Sequence, residues 1–284
     1  MDKHIVSWLF DAEAVRVSPE NRPFWYASGK LGPLYINTHY LCGGKEAASE
    51  LLMDIEAEAS RRPLSLPRVI GDKLEALRRG DPRYAEVIAR LVEFAQESGD
   101  FDCISGGERR DWLFSLPVAR ALGLPHLSLF KSLSAVYTGV KGDTVPAERA
   151  ALQGKRLLHI ADLVTEASSY LRAWIPTVEE TDARIVATVV VVDRNQGGGQ
   201  KLAAAGIPLC ALVTLTPALF DEAVAHGKLT LAQRDMARTF LADPSAFMRS
   251  FLRAHPSYLQ DQIALGGKPR ERALRCIEMG YDRL

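Results

Sequence analysis

Between Phe101 and Leu215, short β-branched or apolar runs alternate with longer stretches of helical spacing. That alternation is the pattern of parallel strands joined by crossover helices, because a strand must be carried back along the sheet before the next can lie parallel to it. The runs are FDCIS (101–105), HLSLF (126–130), RLLHIA (156–161), RIVATVVVVD (184–193) and PLCALVTL (208–215), enough for one α/β sheet. Between them, DWLFSLPVARALG and SSYLRAWIPTVEETDA read as helices stopped by Gly123 and by the Thr181–Asp182 pair, with Pro117 and Pro176 expected to distort them.

Upstream, KEAASELLMDIEAEASRR and DPRYAEVIARLVEFAQESG predict two amphipathic helices separated by a loop rich in Pro and Arg. Downstream of Leu215 the chain reads as helical, with no strand signal and no internal repeat. The 284 residues hold 47% hydrophobic side chains, and 35 Lys+Arg balance 35 Asp+Glu. A core of ordinary size is expected, and any anion site must be a local cluster rather than a field of the whole protein. Nucleic-acid partners are not expected.

The four cysteines form no C-x-x-C pair, so neither a disulfide framework nor a zinc site is expected, and a reducing cytoplasm fits. The longest apolar run, Ile185 to Val192, is far short of a membrane span, and the N-terminal MDKHIVSWLFDAEAVR has an acid where a signal peptide would continue its apolar run. The six histidines show no i,i+4 pair, so each reads as a surface or core residue, with His159 buried on its strand. No G-x-G-x-x-G, Walker loop or G-x-S-x-G is present.

The segment RLLHIADLVTEASSYLRAW carries the most chemistry: an apolar strand ends in Asp162, and a hydroxyl-rich turn from Thr165 leads into a helix. Free backbone N–H groups and the dipole at a helix start make such a turn an anion cradle, and an acid at a strand's carboxyl end lies where open α/β sheets bind ligands. Two readings stand side by side, a phosphate cradle or Thr165, Ser168 and Ser169 acting as simple helix caps. Glu166 opposes the first, since a carboxylate repels an anion.

The order of segments resembles the type I phosphoribosyltransferases, and within them the orotate phosphoribosyltransferases. FWYASGKLGPLYIN (24–37) resembles the hood signature, and FDCISGGERRDWLFSLPVARALG the strand, pyrophosphate loop and helix. HLSLFK resembles the strand ending in an Arg-Lys pair, HIADLVTEASS the signature for phosphoribosyl pyrophosphate (PRPP), and VVVVDRNQGGG the strand ending in Asp-Arg. The resemblance covers roughly residues 7–215.

It implies a phosphoribosyltransferase-like domain over 1–215 (hood 1–45, helical insert 46–100, sheet core 101–215) and a helical C-terminal extension over 216–284. It implies, too, Asp162 on the ribose hydroxyls and the magnesium ion, Thr165, Ser168 and Ser169 on the 5′-phosphate, and Lys131 and Arg110 on the pyrophosphate. Arg194 falls on the orotate-binding position, where a guanidinium can fork onto a carboxylate, although a strand-end ion pair with Asp193 is the alternative. For Arg109 and Arg110 the alternative is a solvated basic turn. The aromatics Phe24 to Tyr26 are expected to pack the hood rather than stack on a base.

The family's charges are replaced at several positions. Its paired acids fall at Ala161 and Asp162, its loop threonine and glycine at Glu166 and Ala167, its strand-end arginine at Phe130 and its hood lysine at Leu31, beside Lys30. In the mobile loop after Lys131, the catalytic lysine and histidine fall at Ser134 and Val136, and Lys141 is the candidate substitute. The expected activity is magnesium-dependent transfer of phosphoribose between PRPP and a pyrimidine base such as orotate, a step of pyrimidine nucleotide biosynthesis, by a homodimer. The alternative is a catalytically degenerate homologue that binds a nucleotide or phosphosugar in a regulatory or partner role.

Overall fold

A computed structural model describes residues 3–283. In chain order it begins with α1 (Lys3–Asp11), four short strands β1 (Val15–Val17), β2 (Phe24–Trp25), β3 (Leu31–Gly32) and β4 (Leu34–Ile36), and a 3-10 turn (Thr38–Leu41). Then come α2 (Gly44–Arg61), α3 (Leu66–Gly80), α4 (Pro82–Glu97), β5 (Cys103–Gly107), α5 (Trp112–Leu122), β6 (His126–Leu129), β7 (Ala135–Thr138), β8 (Thr144–Pro146) and α6 (Arg149–Leu152). The chain continues through β9 (Arg156–Val164), a π-helical turn (Tyr170–Trp174), α7 (Ile175–Glu179), β10 (Arg184–Asp193), α8 (Gly198–Ala204) and β11 (Leu209–Thr214). Five helices close it: α9 (Pro217–Ala225), α10 (Leu231–Ala242), α11 (Pro244–Ala254), α12 (Tyr258–Leu265) and α13 (Gly267–Glu278). The chain divides into two units, one of the residues up to Ala12 with Thr38–Leu215, the other of Glu13–Asn37 with Thr216–Leu284.

The first unit is built on a seven-stranded sheet of order β11-β10-β9-β5-β6-β7-β8. The five strands expected from the sequence are its parallel part. The largely apolar character of the inner strands follows from burial on both faces, as parallel sheets require, whereas the edge strand β11 is only partly buried. Adjacent residues of β5 show the two faces: a Cβ on Gly106 would lie 2.1 Å from Ser115 Oγ of α5, and one on Gly107 2.4 Å from the Trp174 ring. Two glycines in succession thus let a helix close on one side and an indole on the other.

Two segments differ from the sequence expectation. Residues between Arg62 and Asp81, expected as a loop, form α3: Pro67 lies in its first turn, where its missing N–H costs no bond, and Ile70 and Leu74 are buried. The segment after Lys131, expected as a mobile loop, pairs instead as the antiparallel strands β7 and β8, with Lys141 exposed in the turn between Gly139 and Gly142. Val136 is buried there at 5% exposure, which supplies the reason for pairing.

Pro117 leaves α5 continuous. A proline at this position cannot bond the carbonyl four residues back, Leu113, and the hydroxyl of fully buried Tyr84 on α4 donates to that carbonyl instead. Pro176 stands in the first turn of α7, directly after the π-helical turn. Asp81 caps α4 by accepting from the N–H groups of Arg83 and Tyr84.

In the second unit the β2–β3 pair packs with α11, α12 and α13 around Trp25, Leu31, Met248, Phe251, Ala273 and Cys276. Trp25 Nε1 donates to Gln262 Oε1 at 3.0 Å, so the aromatics of the FWY run pack within this unit. All four cysteines are free thiols, and among the described residues no helix is long and apolar enough to cross a membrane.

Candidate active site

A cavity of about 560 Å³ opens at the carboxyl ends of β5 and β9, lined by Glu108 to Asp111, Lys131 and Ala161 to Tyr170. It brings together Asp162, Lys131, Arg110, Thr165, Ser168 and Ser169. Three other expected residues do not line it. Lys141 is in the β7–β8 turn, and Lys30 belongs to the second unit, where its Nζ lies 5.1 Å from the centre of the Tyr281 ring. Arg194 follows β10, and its backbone N–H donates to the carbonyl of Val164 at 2.9 Å, fixing that loop to the end of β9.

The first loop over the cavity, Glu108 to Asp111, is held by its own acids. Glu108 accepts the backbone N–H of Lys131 at 3.0 Å. Asp111 accepts the N–H of Gly107 through Oδ2 and the N–H of Asp162 through Oδ1, both at 3.0 Å, so one carboxylate clamps the ends of the two central strands. Arg109 is engaged by Glu56 at 2.6 Å, whereas Arg110 has no ion pair among the described residues. Of the basic turn, Arg110 is the cation left for a ligand, together with Lys131.

The second loop, Thr165 to Ser169, is hydroxyl-rich and lightly tethered. Ser169 stands at the start of the π-helical turn without a side-chain capping bond, and among the described residues no hydroxyl of Thr165, Ser168 or Ser169 is hydrogen-bonded. The helix-cap alternative therefore does not account for them. Glu166 is drawn by Lys201 at 3.3 Å, which partly neutralises the acid in the cradle. Ala167 adopts φ 54°, a left-handed conformation that costs a residue with a Cβ about 1 kcal/mol. Gly198 permits the loop its position, since a Cβ there would lie 2.7 Å from the carbonyl oxygen of Thr165.

Asp162 is buried, and its Oδ2 accepts the Thr38 hydroxyl at 2.5 Å. Burial first, and then the neighbouring Asp111 charge, hold its carboxyl above the usual carboxylate range, with Thr38 and Arg110 pulling the other way. His39, next to Thr38, is pushed down to about 4 by burial and by the Arg110 and Arg109 charges. Phe130, at the position of the family's arginine, turns inward and meets the Trp112 ring edge-on at 5.0 Å between centres. Sequence reasoning missed two members of the site. Thr38 gives no local signal, being 124 positions from its partner. Asp111 had one, an acid immediately before an apolar helical run, which reads simply as a cap.

No protein-family model matches the chain. Curated relatives do: the orotate phosphoribosyltransferase of Pyrococcus furiosus is 34% identical over 149 residues, spanning 50% of this chain and 76% of that one. That of Bradyrhizobium diazoefficiens is 31% identical over 140 residues, spanning 46% and 72%. Among solved structures, Leishmania donovani UMP synthase superposes with a TM-score of 0.57 at 19% identity, over 85% of this chain and 42% of that one. The orotate phosphoribosyltransferase of Francisella tularensis superposes at 0.52 and 14%, over 84% and 96%.

A parallel sheet with a strand-end acid, a basic loop and a hydroxyl-rich loop around one cavity defines a type I phosphoribosyltransferase. Within that class, the chain belongs to the orotate phosphoribosyltransferase family.

Proposed function

We propose that the protein transfers phosphoribose between PRPP and a pyrimidine base, orotate above all, as a step of pyrimidine nucleotide synthesis in the cytoplasm. The observation that carries this reading is the convergence of Arg110, Lys131, Asp162 and the Thr165–Ser169 loop on one cavity. In the reaction, the bond from the anomeric carbon to pyrophosphate breaks with its electron pair on the leaving oxygen. A bond from the base's ring nitrogen to that carbon forms, and the nitrogen's proton departs. Between the two events the sugar ring carries positive charge. The protein's contribution is then to hold both reactants in line and to neutralise charge where it develops.

In this reading the N–H groups and hydroxyls of Thr165, Ser168 and Ser169 receive the 5′-phosphate, Arg110 and Lys131 receive the pyrophosphate, and Asp162 lies against the ribose. Arg194 would take the carboxylate of an acidic base. Asp162 offers magnesium a hard carboxylate oxygen of the kind it binds, in a cavity roomy enough for the waters it retains. When bound, the ion neutralises pyrophosphate charge. Lys141, in the exposed hairpin turn, is the further proposed cation, serving the neighbouring copy in a homodimer.

Calorimetric titration with PRPP, orotate and orotidine monophosphate, with and without magnesium, while orotate absorbance is followed, tests the proposal. Binding with turnover is the expected result. Binding of PRPP without turnover would leave a regulatory or partner role, and binding of none of the three would overturn the assignment. Arg194→Ala should abolish orotate binding and leave PRPP binding intact, and unchanged orotate affinity would remove Arg194 from the site.

A further inference from the structure

Two buried carboxylates meet on the cavity wall, and they come from different elements. Asp162 lies near the carboxyl end of β9 and Asp111 stands directly before α5, at 8% and 9% exposure, and both line the cavity. They are linked through Asp162's own amide, whose N–H donates to Asp111 Oδ1 at 3.0 Å. Among the described residues neither has an ion pair with a lysine or arginine. Side by side in a poorly solvated place, two such groups repel each other unless a positive charge lies between them and the cavity.

A second observation points the same way. His159, fully buried on β9, directs Nε2 at Asp111 Oδ2 from 3.6 Å, beyond hydrogen-bond reach, and that nitrogen has no hydrogen-bond partner among the described residues. Its Nδ1 meets Ser105 Oγ at 3.0 Å. The arrangement therefore sets an imidazole nitrogen and two carboxylates close together, and Arg110 is the cation that acts on Asp162 from the same cavity.

We infer that Asp111 is a positioning residue for Asp162 and that the two act as one acidic floor beneath the sugar, stabilising the positive ring that exists only during transfer. The inference rests on the transferase reading above. Asp111 has two tasks in it: its hydrogen bonds set the carboxyl ends of β5 and β9 in register with each other, and its charge adds to that of Asp162 at the moment the ring becomes positive. Ala161 contributes nothing to the pair. It lines the cavity beside Asp162 and is buried with Trp174 and Ala167 in an apolar cluster, so an acid grafted at 161 would be packed against that cluster.

Because the substrate sugar is uncharged before reaction, the added charge favours the transition state over bound PRPP, and its loss belongs in kcat rather than in substrate affinity. The experiment compares wild type with Asp111→Asn, Asp111→Glu and Ala161→Asp, measuring kcat, the Kd for PRPP by calorimetry, and the thermal midpoint. Asp111→Asn should lower kcat on the order of 10²-fold while the Kd for PRPP moves by less than about threefold. Asp111→Glu should recover at least about a tenth of the wild-type kcat, since the charge is kept although its reach changes.

If Asp111→Asn lowers the thermal midpoint but leaves kcat intact, or raises Kd as much as it lowers kcat, Asp111 is purely structural and the inference is wrong. Should the Asn variant not fold, Ala161→Asp decides, because every bond of Asp111 remains: no gain in kcat is expected, and a tenfold gain would mean that the second acid had been lacking. A wild type that binds PRPP without turnover also overturns the inference, since no charged ring forms. A wild type that binds none of the three ligands removes the transferase reading with it.

Discussion

The two loops that face each other over the cavity both follow a parallel strand and both lead into a helix, yet they are held in opposite ways. The loop after β5 is fastened by its own side chains: Glu108 to the backbone of Lys131, Asp111 to the backbones of Gly107 and Asp162, Arg109 to Glu56. The loop after β9 has no such fastening by its hydroxyls, bends through a left-handed alanine and has its acid drawn aside by Lys201. The comparison teaches that a sheet edge can divide its labour. A charged loop must be pinned, because a misplaced guanidinium is worth little to a ligand, whereas a loop that offers N–H groups and hydroxyls needs chiefly the right backbone path.

The contrast is broken most severely by removing the one cation of the first loop without an acidic partner. Arg110→Ala should lower kcat/KM by about 10²- to 10³-fold, while Arg109→Ala, already engaged by Glu56, should cost less than about tenfold. Steady-state kinetics on the pair decides it, and equal losses would show that the Glu56 contact does not restrain Arg109. Next in size is the floor under that loop. Gly106→Ala would drive a methyl into Ser115 Oγ, and a loss of about 1–3 kcal/mol in denaturant unfolding is expected; an unchanged midpoint would mean that α5 can move away freely.

A proton tests the same anchorage. His126, on β6, meets Ser115 and Ser128, and burial pushes it down from 6.5 to about 3. The unfolded chain therefore takes up the proton first, so this contribution to stability is complete above pH 6.5 and is lost as pH falls toward 3. Between pH 6.5 and 5 it amounts to about 2 kcal/mol, and His126→Asn should flatten that part of the stability profile; an equally steep profile in the variant would place the acid sensitivity elsewhere. The smallest effect belongs to the second loop. Ala167→Gly relieves the left-handed strain but loosens the unfolded chain, so stability should change by less than about 1 kcal/mol, while PRPP affinity rises severalfold as the backbone N–H groups become freer to approach the phosphate. Weaker binding would show that the methyl holds the loop in its receptive shape.

Legibility in the sequence divides along similar lines. The parallel strands were readable because burial on both faces leaves nearly unbroken apolar runs such as Ile185 to Val192, and the strand-end acid was readable because it interrupts one. Helix α3 was not, because Pro and Arg are loop signals until one notices that Pro67 occupies a first turn and that Arg78 and Arg79 occupy a last one. The β7–β8 hairpin was hidden because the resemblance implies a mobile loop after Lys131, whereas Gly139 and Gly142 mark a tight turn between two strands. Within the site, residues adjacent in the signature segments could be found by inspection. Thr38 and Asp111 could not, since their contacts with Asp162 are made across 124 and 51 positions by groups whose local surroundings suggest only a turn and a cap.

The bond from Tyr84 to the carbonyl left over by Pro117 bears on the order in which the molecule is assembled. A helix that borrows a donor from its neighbour cannot finish its own hydrogen-bond ladder alone: until α4 is docked, α5 has a stranded acceptor in its first half. Local helix formation and tertiary docking are thereby coupled through this bond. Since Asp111 stands directly before α5, the docking of α4 against that helix bears on the pinned loop as well.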